Sequence, residues 1–111
     1  MQSTRLAKLL EFLESDPNDP FVLYALATEY NSSNETDKAF EYYNKLVAMY
    51  PDYVGTYYHL GKLLEKHNDT AQAIVIYQKG MEAARNKRDM HAFSELQGAY
   101  NSAAGLDYED D

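Results

Sequence analysis

The sequence predicts an all-α fold of about six helices in which one helix pair is repeated, and three observations carry that prediction. One block of residues is written twice: Leu23 returns as Tyr57, Leu26 as Leu60, Ala27 as Gly61, Tyr30 as Leu64, Ala39 as Ala73 and Tyr43 as Tyr77, each 34 residues on. Prolines punctuate the copies at the same interval, Pro17 and Pro51. Within each copy the large apolar residues recur three and four apart, the spacing of one helix face rather than of a strand.

Each helix follows from local residues. Over 4–15, Leu6, Leu9, Leu10 and Leu13 make an apolar stripe, with Ser3 as an N-cap candidate. Subtracting the period from Phe40, Tyr43 and Val47 gives Leu6, Leu9 and Leu13, so this leading helix matches the second (B) helix of a pair. Asp16 to Pro20 turns the chain, with Asp19 as cap and Pro20 at the first helical position, where a missing N–H costs nothing. Residues 20–32 form the first A helix, striped by Leu23, Leu26 and Tyr30. After the polar break at Asn31–Asn34, residues 36–50 form its B partner, turning Ala39, Phe40, Tyr43 and Leu46 inward, and Pro51 stops it. The second pair spans 53–66 and 70–84 around Asn68 and Asp69.

Beyond Ala84 the register slips. Arg85 stands where a proline is expected, and an offset of 36 aligns Phe93, Leu96, Gln97 and Tyr100 with Tyr57, Leu60, Gly61 and Leu64. A capping A-type helix is therefore expected over about 90–103, with Asp89 as its N-cap and Gly105 ending it. The boundaries read as one domain over 1–106: a leading helix at 4–15, repeats at 20–53 and 54–87, and a cap at 89–104. An acidic, disordered tail is expected over 106–111. The small residues Ala27 with Ala39, and Gly61 with Ala73, mark where paired helices cross most closely. Leucine at Ala39 or Ala73 is expected to force the axes apart.

Composition bounds the function. The net charge is −8, and the basic residues that cluster are only Arg85, Lys87 and Arg88, at a helix junction. A phosphate-gripping surface needs more, so nucleic acid is excluded as a partner class. The chain lacks cysteine, and its leucine-bearing N-terminal stretch is interrupted by Lys8, Glu11 and Glu14. This pattern fits a cytoplasmic protein with no membrane-spanning or leader segment. No Gly-rich phosphate loop, metal-spaced histidine pair or nucleophile elbow occurs, so neither catalysis nor a cofactor is expected. Asp89, His91 and Ser94 read as a helix cap and two surface residues rather than a triad. His59 and His67 stand two turns apart without a third ligand.

A ~34-residue period of large-xx-Leu-small-xx-large, Ala-xxx-aromatic and proline resembles the tetratricopeptide repeat family. The resemblance covers 20–87 closely, and the chain looks like the short stand-alone members found in bacteria. It implies a right-handed superhelix whose concave face, lined by A helices, holds another protein or a peptide without catalysis. The positions matching that face are Phe21, Tyr24, Thr28 and Asn31 on the first A helix. On the second they are Gly55, Tyr58, Lys62 and Glu65, and on the last His91, Ser94, Gly98 and Asn101.

Tyr24 and Tyr58 read either as ligand contacts or as groove filling. The family's carboxylate clamp for chaperone tails is not matched, because Tyr24, Thr28, His59, His91 and Glu95 occupy its places. A second functional class is a self-associating, homo-oligomeric module using Tyr42, Tyr50 or Tyr53, or the open leading helix around Leu10 and Leu13.

Overall fold

The computed structural model describes residues 4–106, so Ser3 and the acidic stretch 107–111 lie outside the described residues. Among these residues there are six helices and no strand: α1 (Thr4–Ser15), α2 (Pro20–Ser32), α3 (Thr36–Met49), α4 (Gly55–Lys66), α5 (Thr70–Lys87) and α6 (Met90–Ala103). They form two compact units, one ending at Tyr50 and the other beginning at Pro51.

In the first unit α2 packs against both α1 and α3. Asp19 caps α2 by accepting from Phe21 N–H at 2.9 Å, and Pro20 sits in the first turn, as its missing donor allows. The repeat stripe is the core: Leu23, Leu26, Ala27, Ala39, Tyr43 and Leu46 are fully buried, with Leu6 and Leu9 buried on α1. Arg5 reaches Glu29 at 3.5 Å, tying α1 to α2. Helix α3 ends one residue short of the expectation. Tyr50 precedes Pro51, whose ring disfavours helical backbone there, and it adopts φ −134°, ψ 67°. Its hydroxyl donates to the Asn18 carbonyl, fastening the end of the unit to the α1–α2 turn.

In the second unit α4 and α5 form a pair and α6 packs on both. Tyr57, Leu60, Leu63, Ala73, Ile76, Tyr77, Ala84 and Leu96 are buried. Two boundaries depart from the expectation. Helix α4 begins at Gly55, because Pro51 to Val54 is spent in a turn, and α5 runs on to Lys87 instead of stopping at Ala84. Arginine at position 85 keeps the N–H that a proline would remove, so nothing breaks the helix until Arg88 turns left-handed.

Four of the six helix ends share one device. Asn34, Asn68, Arg88 and Gly105 have φ of 61°, 66°, 59° and 76°. In each case the next N–H reaches back five residues: Glu35 to Tyr30, Asp69 to Leu64 and Asp89 to Ala84 at 2.9 Å, and Leu106 to Asn101 at 2.7 Å. This left-handed closure satisfies a last-turn carbonyl and, after α2, α4 and α5, hands the chain directly to the next helix. Asp69 and Asp89 then serve as N-caps, accepting from Gln72 and Ala92 N–H at 3.2 and 3.1 Å. Glu35 occupies the same place before α3, but its side chain makes no cap bond. Aspartate has the shorter reach that caps favour, so Glu35→Asp is expected to raise stability by about 0.5–1 kcal/mol. Denaturant titration checks it, and an unchanged midpoint would show that α3 gains nothing from a side-chain cap.

Two of the small residues admit particular side chains. A Cβ on Gly61 would meet the Tyr77 ring, one helical turn beyond Ala73, at 2.2 Å. Gly80, which the repeat comparison passes over, admits Tyr57 and Leu96: its Cβ would lie 2.6 Å from Tyr57 Cβ and 3.1 Å from Leu96 Cδ1. Thr56 is fully buried, and its Oγ1 has no hydrogen-bond partner among the described residues. An unpaired buried hydroxyl costs more than it returns, so Thr56→Val, which keeps the branched shape, is expected to stabilise by about 1 kcal/mol. Differential scanning calorimetry reads the change, and a lowered midpoint would show that the hydroxyl is satisfied.

Candidate functional site

The positions expected to line a binding face belong to three A-type helices. On α2, Phe21 is 71% exposed, while Tyr24, Thr28 and Asn31 are half-buried. Thr28 turns its hydroxyl back to the Ala25 carbonyl at 3.0 Å, as Thr does within a helix. Tyr24 lies near enough to the buried Tyr43 to disfavour a second phenolate. Burial first, and Tyr24 second, push the Tyr43 hydroxyl up to about 12. Tyr24 is thus half-buried and close to the buried Tyr43.

In the second unit α4 and α6 touch. Tyr58 is half-buried and Lys62 lies over its ring at 5.6 Å, a cation–π contact. Lys62 Nζ is also 3.9 Å from Glu65 Oε2, and that same oxygen accepts the hydroxyl of buried Tyr77. Burial and then the bond to Glu65 hold the Tyr77 phenol well above its ordinary value, so it stays a donor. Glu65 is therefore anchored from within the unit, and it in turn positions Lys62 over Tyr58.

On α6, His91, Ser94 and Gly98 are exposed and Asn101 is half-buried. His91 Nε2 lies 3.5 Å from Glu95 Oε2, one turn along the helix. Glu95 also acts on His59 of α4: burial lowers the His59 pKa, and the Glu95 charge opposes that shift. His59 stands edge-on to the Tyr58 ring, with centroids 5.7 Å apart. Tyr58, His59, Lys62, Glu65, His91 and Glu95 are thus a linked set. The Glu95 contribution was overlooked among the candidates, although the 36-residue offset places it at the level of His59.

Asp89 accepts from Ala92 N–H and His91 turns to Glu95, so no Ser–His–Asp relay forms. Among the described residues no group of three His, Cys, Asp or Glu could hold a metal, and no helix is long and apolar enough to cross a membrane. Two of the three tyrosines offered for self-association, Tyr42 and Tyr50, are engaged internally. Tyr42 stacks on Tyr30 with centroids 5.8 Å apart and planes 8° from parallel, and Tyr50 bonds Asn18.

The model of the tetratricopeptide repeat family matches residues 30–99, more than half of the sequence. The chain belongs to the tetratricopeptide repeat family. It is similar to a tetratricopeptide repeat domain protein from Salinibacter ruber. That protein's solution structure is 45% identical with a TM-score of 0.78, over 86% of this chain and 97% of that one. Its crystal structure is 46% identical with a TM-score of 0.76, over 80% and 100%. A solution structure from Bordetella parapertussis, 24% identical with a TM-score of 0.78 over 94% and 90%, shares the fold. No curated protein matches by sequence. Tetratricopeptide repeats generally mediate protein–protein interaction and serve as non-catalytic scaffolds.

Proposed function

We propose that this tetratricopeptide repeat chain is a cytoplasmic adaptor that holds a peptide or partner protein against the exposed faces of its A-type helices and performs no chemistry. The observation that carries this reading is Tyr58, an aromatic ring left half-accessible while Lys62, Glu65 and buried Tyr77 fix its surroundings. A held aromatic flanked by hydrogen-bonding groups gives contact area at low entropic cost, which is what peptide capture needs. Within the first unit Phe21, Tyr24, Thr28 and Asn31 supply a surface of the same kind on α2, and within the second α6 adds Ser94 and Asn101.

The test is a pull-down with immobilised wild-type chain, its captured partner identified by mass spectrometry, repeated with Tyr24→Ala plus Tyr58→Ala. Loss of at least ten-fold in capture, with the melting temperature kept within a few degrees, is expected for two aromatic contacts. Full capture by a folded double variant would refute the reading.

A second reading, a homodimer, is favoured by one observation: Phe12 on α1 is 58% exposed, and Leu10 and Leu13 of the same helix are only half-buried. Light scattering over a concentration series separates the two, since a monomer at every concentration removes the dimer.

A further inference from the structure

We propose that α6 is the interface of a homodimer. Two copies lay their α6 helices antiparallel along a stripe of Met90, Phe93, Gln97, Tyr100 and Ala104, with Gln97 at the twofold axis. This rests on the homodimer reading and gives it α6 rather than α1 as its interface.

The stripe is a face that the repeat leaves open. Phe93, Gln97 and Tyr100 align with Tyr57, Gly61 and Leu64. That side of α4 meets α5, where Gly61 faces the Tyr77 ring and Tyr57 faces Gly80. Helix α6 is followed by no such partner among the described residues. Met90 is 60% exposed and Gln97 is exposed, while Phe93, Tyr100 and Ala104 are half-buried. Two side chains of α5 border the rings: Arg85 lies over Phe93, and Gln78 donates to the Tyr100 hydroxyl. Steps of three and four residues set all five positions on one line, the seam spacing of paired helices.

Size, hydrogen bonding and charge all favour a second copy as the cover. Gln97 stands in the place of Ala27 and Gly61, and Arg5 of α1 in the place of Ala39 and Ala73, four positions that are buried. Two long side chains at that crossing oppose the stacking of one copy's α1 on another's α6 in the manner of the repeat. The Gln97 amide both donates and accepts, so its own mate across a twofold satisfies it, whereas an apolar partner leaves it unpaired. Exposed Arg85, Lys87 and Arg88 lie at the N-terminal end of α6, and Asp107, Glu109, Asp110 and Asp111 follow its C-terminal end in the sequence. Antiparallel pairing brings cations to acids at both ends, while a parallel pair sets like charge against like. A helix of 14 residues is about 21 Å long, so the interface is small and the association weak.

The test uses the full chain. Light scattering over a concentration series is expected to show a dimer for wild type. Gln97→Glu, which sets two carboxylates at the axis, should weaken it at least ten-fold with the thermal midpoint kept. The chain has no cysteine, so an introduced thiol reports its own surroundings. In a glutathione redox buffer Gln97→Cys is expected to form a disulfide-linked dimer, because a residue at the axis meets its mate. Met90→Cys lies on the same stripe but about 21 Å from its mate in the antiparallel pair, and it should not cross-link. Cross-linking of Met90→Cys as fast as Gln97→Cys would show parallel pairing. Cross-linking of Phe12→Cys in place of Gln97→Cys, or a dimer undiminished in Gln97→Glu, would point to another interface. Each of these overturns the α6 arrangement and leaves the homodimer reading standing, while a wild-type monomer at every concentration overturns both.

Discussion

Gly61→Ala is expected to destabilise the chain by about 3 kcal/mol, the upper part of the usual overpacking range, and to lower the thermal midpoint by roughly 12–20 °C. The new methyl would stand 2.2 Å from Tyr77 Cε1, 2.6 Å from Cζ and 2.7 Å from Cδ1, so it meets a whole ring edge. Tyr77 is fully buried and its hydroxyl is spent on Glu65, which leaves the ring nowhere to swing. The sign of the effect is itself informative, because alanine is a better helix former than glycine by about 1 kcal/mol. Gly98, inside α6, provides the comparison: nothing lies within 4 Å of its added Cβ. Gly98→Ala should therefore stabilise by about 1 kcal/mol while the same change at Gly61 does the opposite. The cost at Gly61 should fall when the ring is removed. In a cycle with Tyr77→Leu, coupling of about 1–2 kcal/mol is expected. Strict additivity would mean that the ring is not what the methyl strikes.

What the sequence discloses depends on whether a feature repeats. Leu23 with Tyr57, Leu26 with Leu60 and Tyr43 with Tyr77 recur in register, and every one of these residues is buried. Asp19 and Asp89 are legible as caps because capping is local chemistry, settled within three residues. The end of α5 was not legible, since Arg85 merely lacks a stop signal, and a missing stop does not say where the next one falls. Gly80 is invisible to the repeat comparison because its counterpart is Leu46, so the pair looks like noise.

The site was half legible for the same reason. Helical spacing puts Tyr58 and Lys62 on one face, one turn apart, and the ring and cation do meet. The anchoring of Glu65 by Tyr77 joins residues 12 apart across a helix pair, which depends on packing and not on spacing within one helix.

Gly80→Ala should cost as much as Gly61→Ala, about 3 kcal/mol, but with a different response to a second change. Its Cβ would lie 2.6 Å from the Cβ of Tyr57, 3.0 Å from Cγ and 3.1 Å from Leu96 Cδ1. A Cβ is fixed by the backbone, so no rotamer of Tyr57 relieves the contact and the α4 and α5 axes must move apart. Leu96 blocks the other direction, because α6 packs on α5 there and is buried at that residue. Shortening Tyr57 to alanine retains the offending atom. Tyr57→Ala is therefore expected to leave the Gly80 clash in place and to add its own cavity cost of about 3–5 kcal/mol. Chemical denaturation of the two single variants and the double reads this directly. Near-additivity supports a backbone-level approach of α4 to α5. Substantial rescue would show instead that the Tyr57 ring, from Cγ outward, is what Gly80 admits, and that both glycines work in the same way.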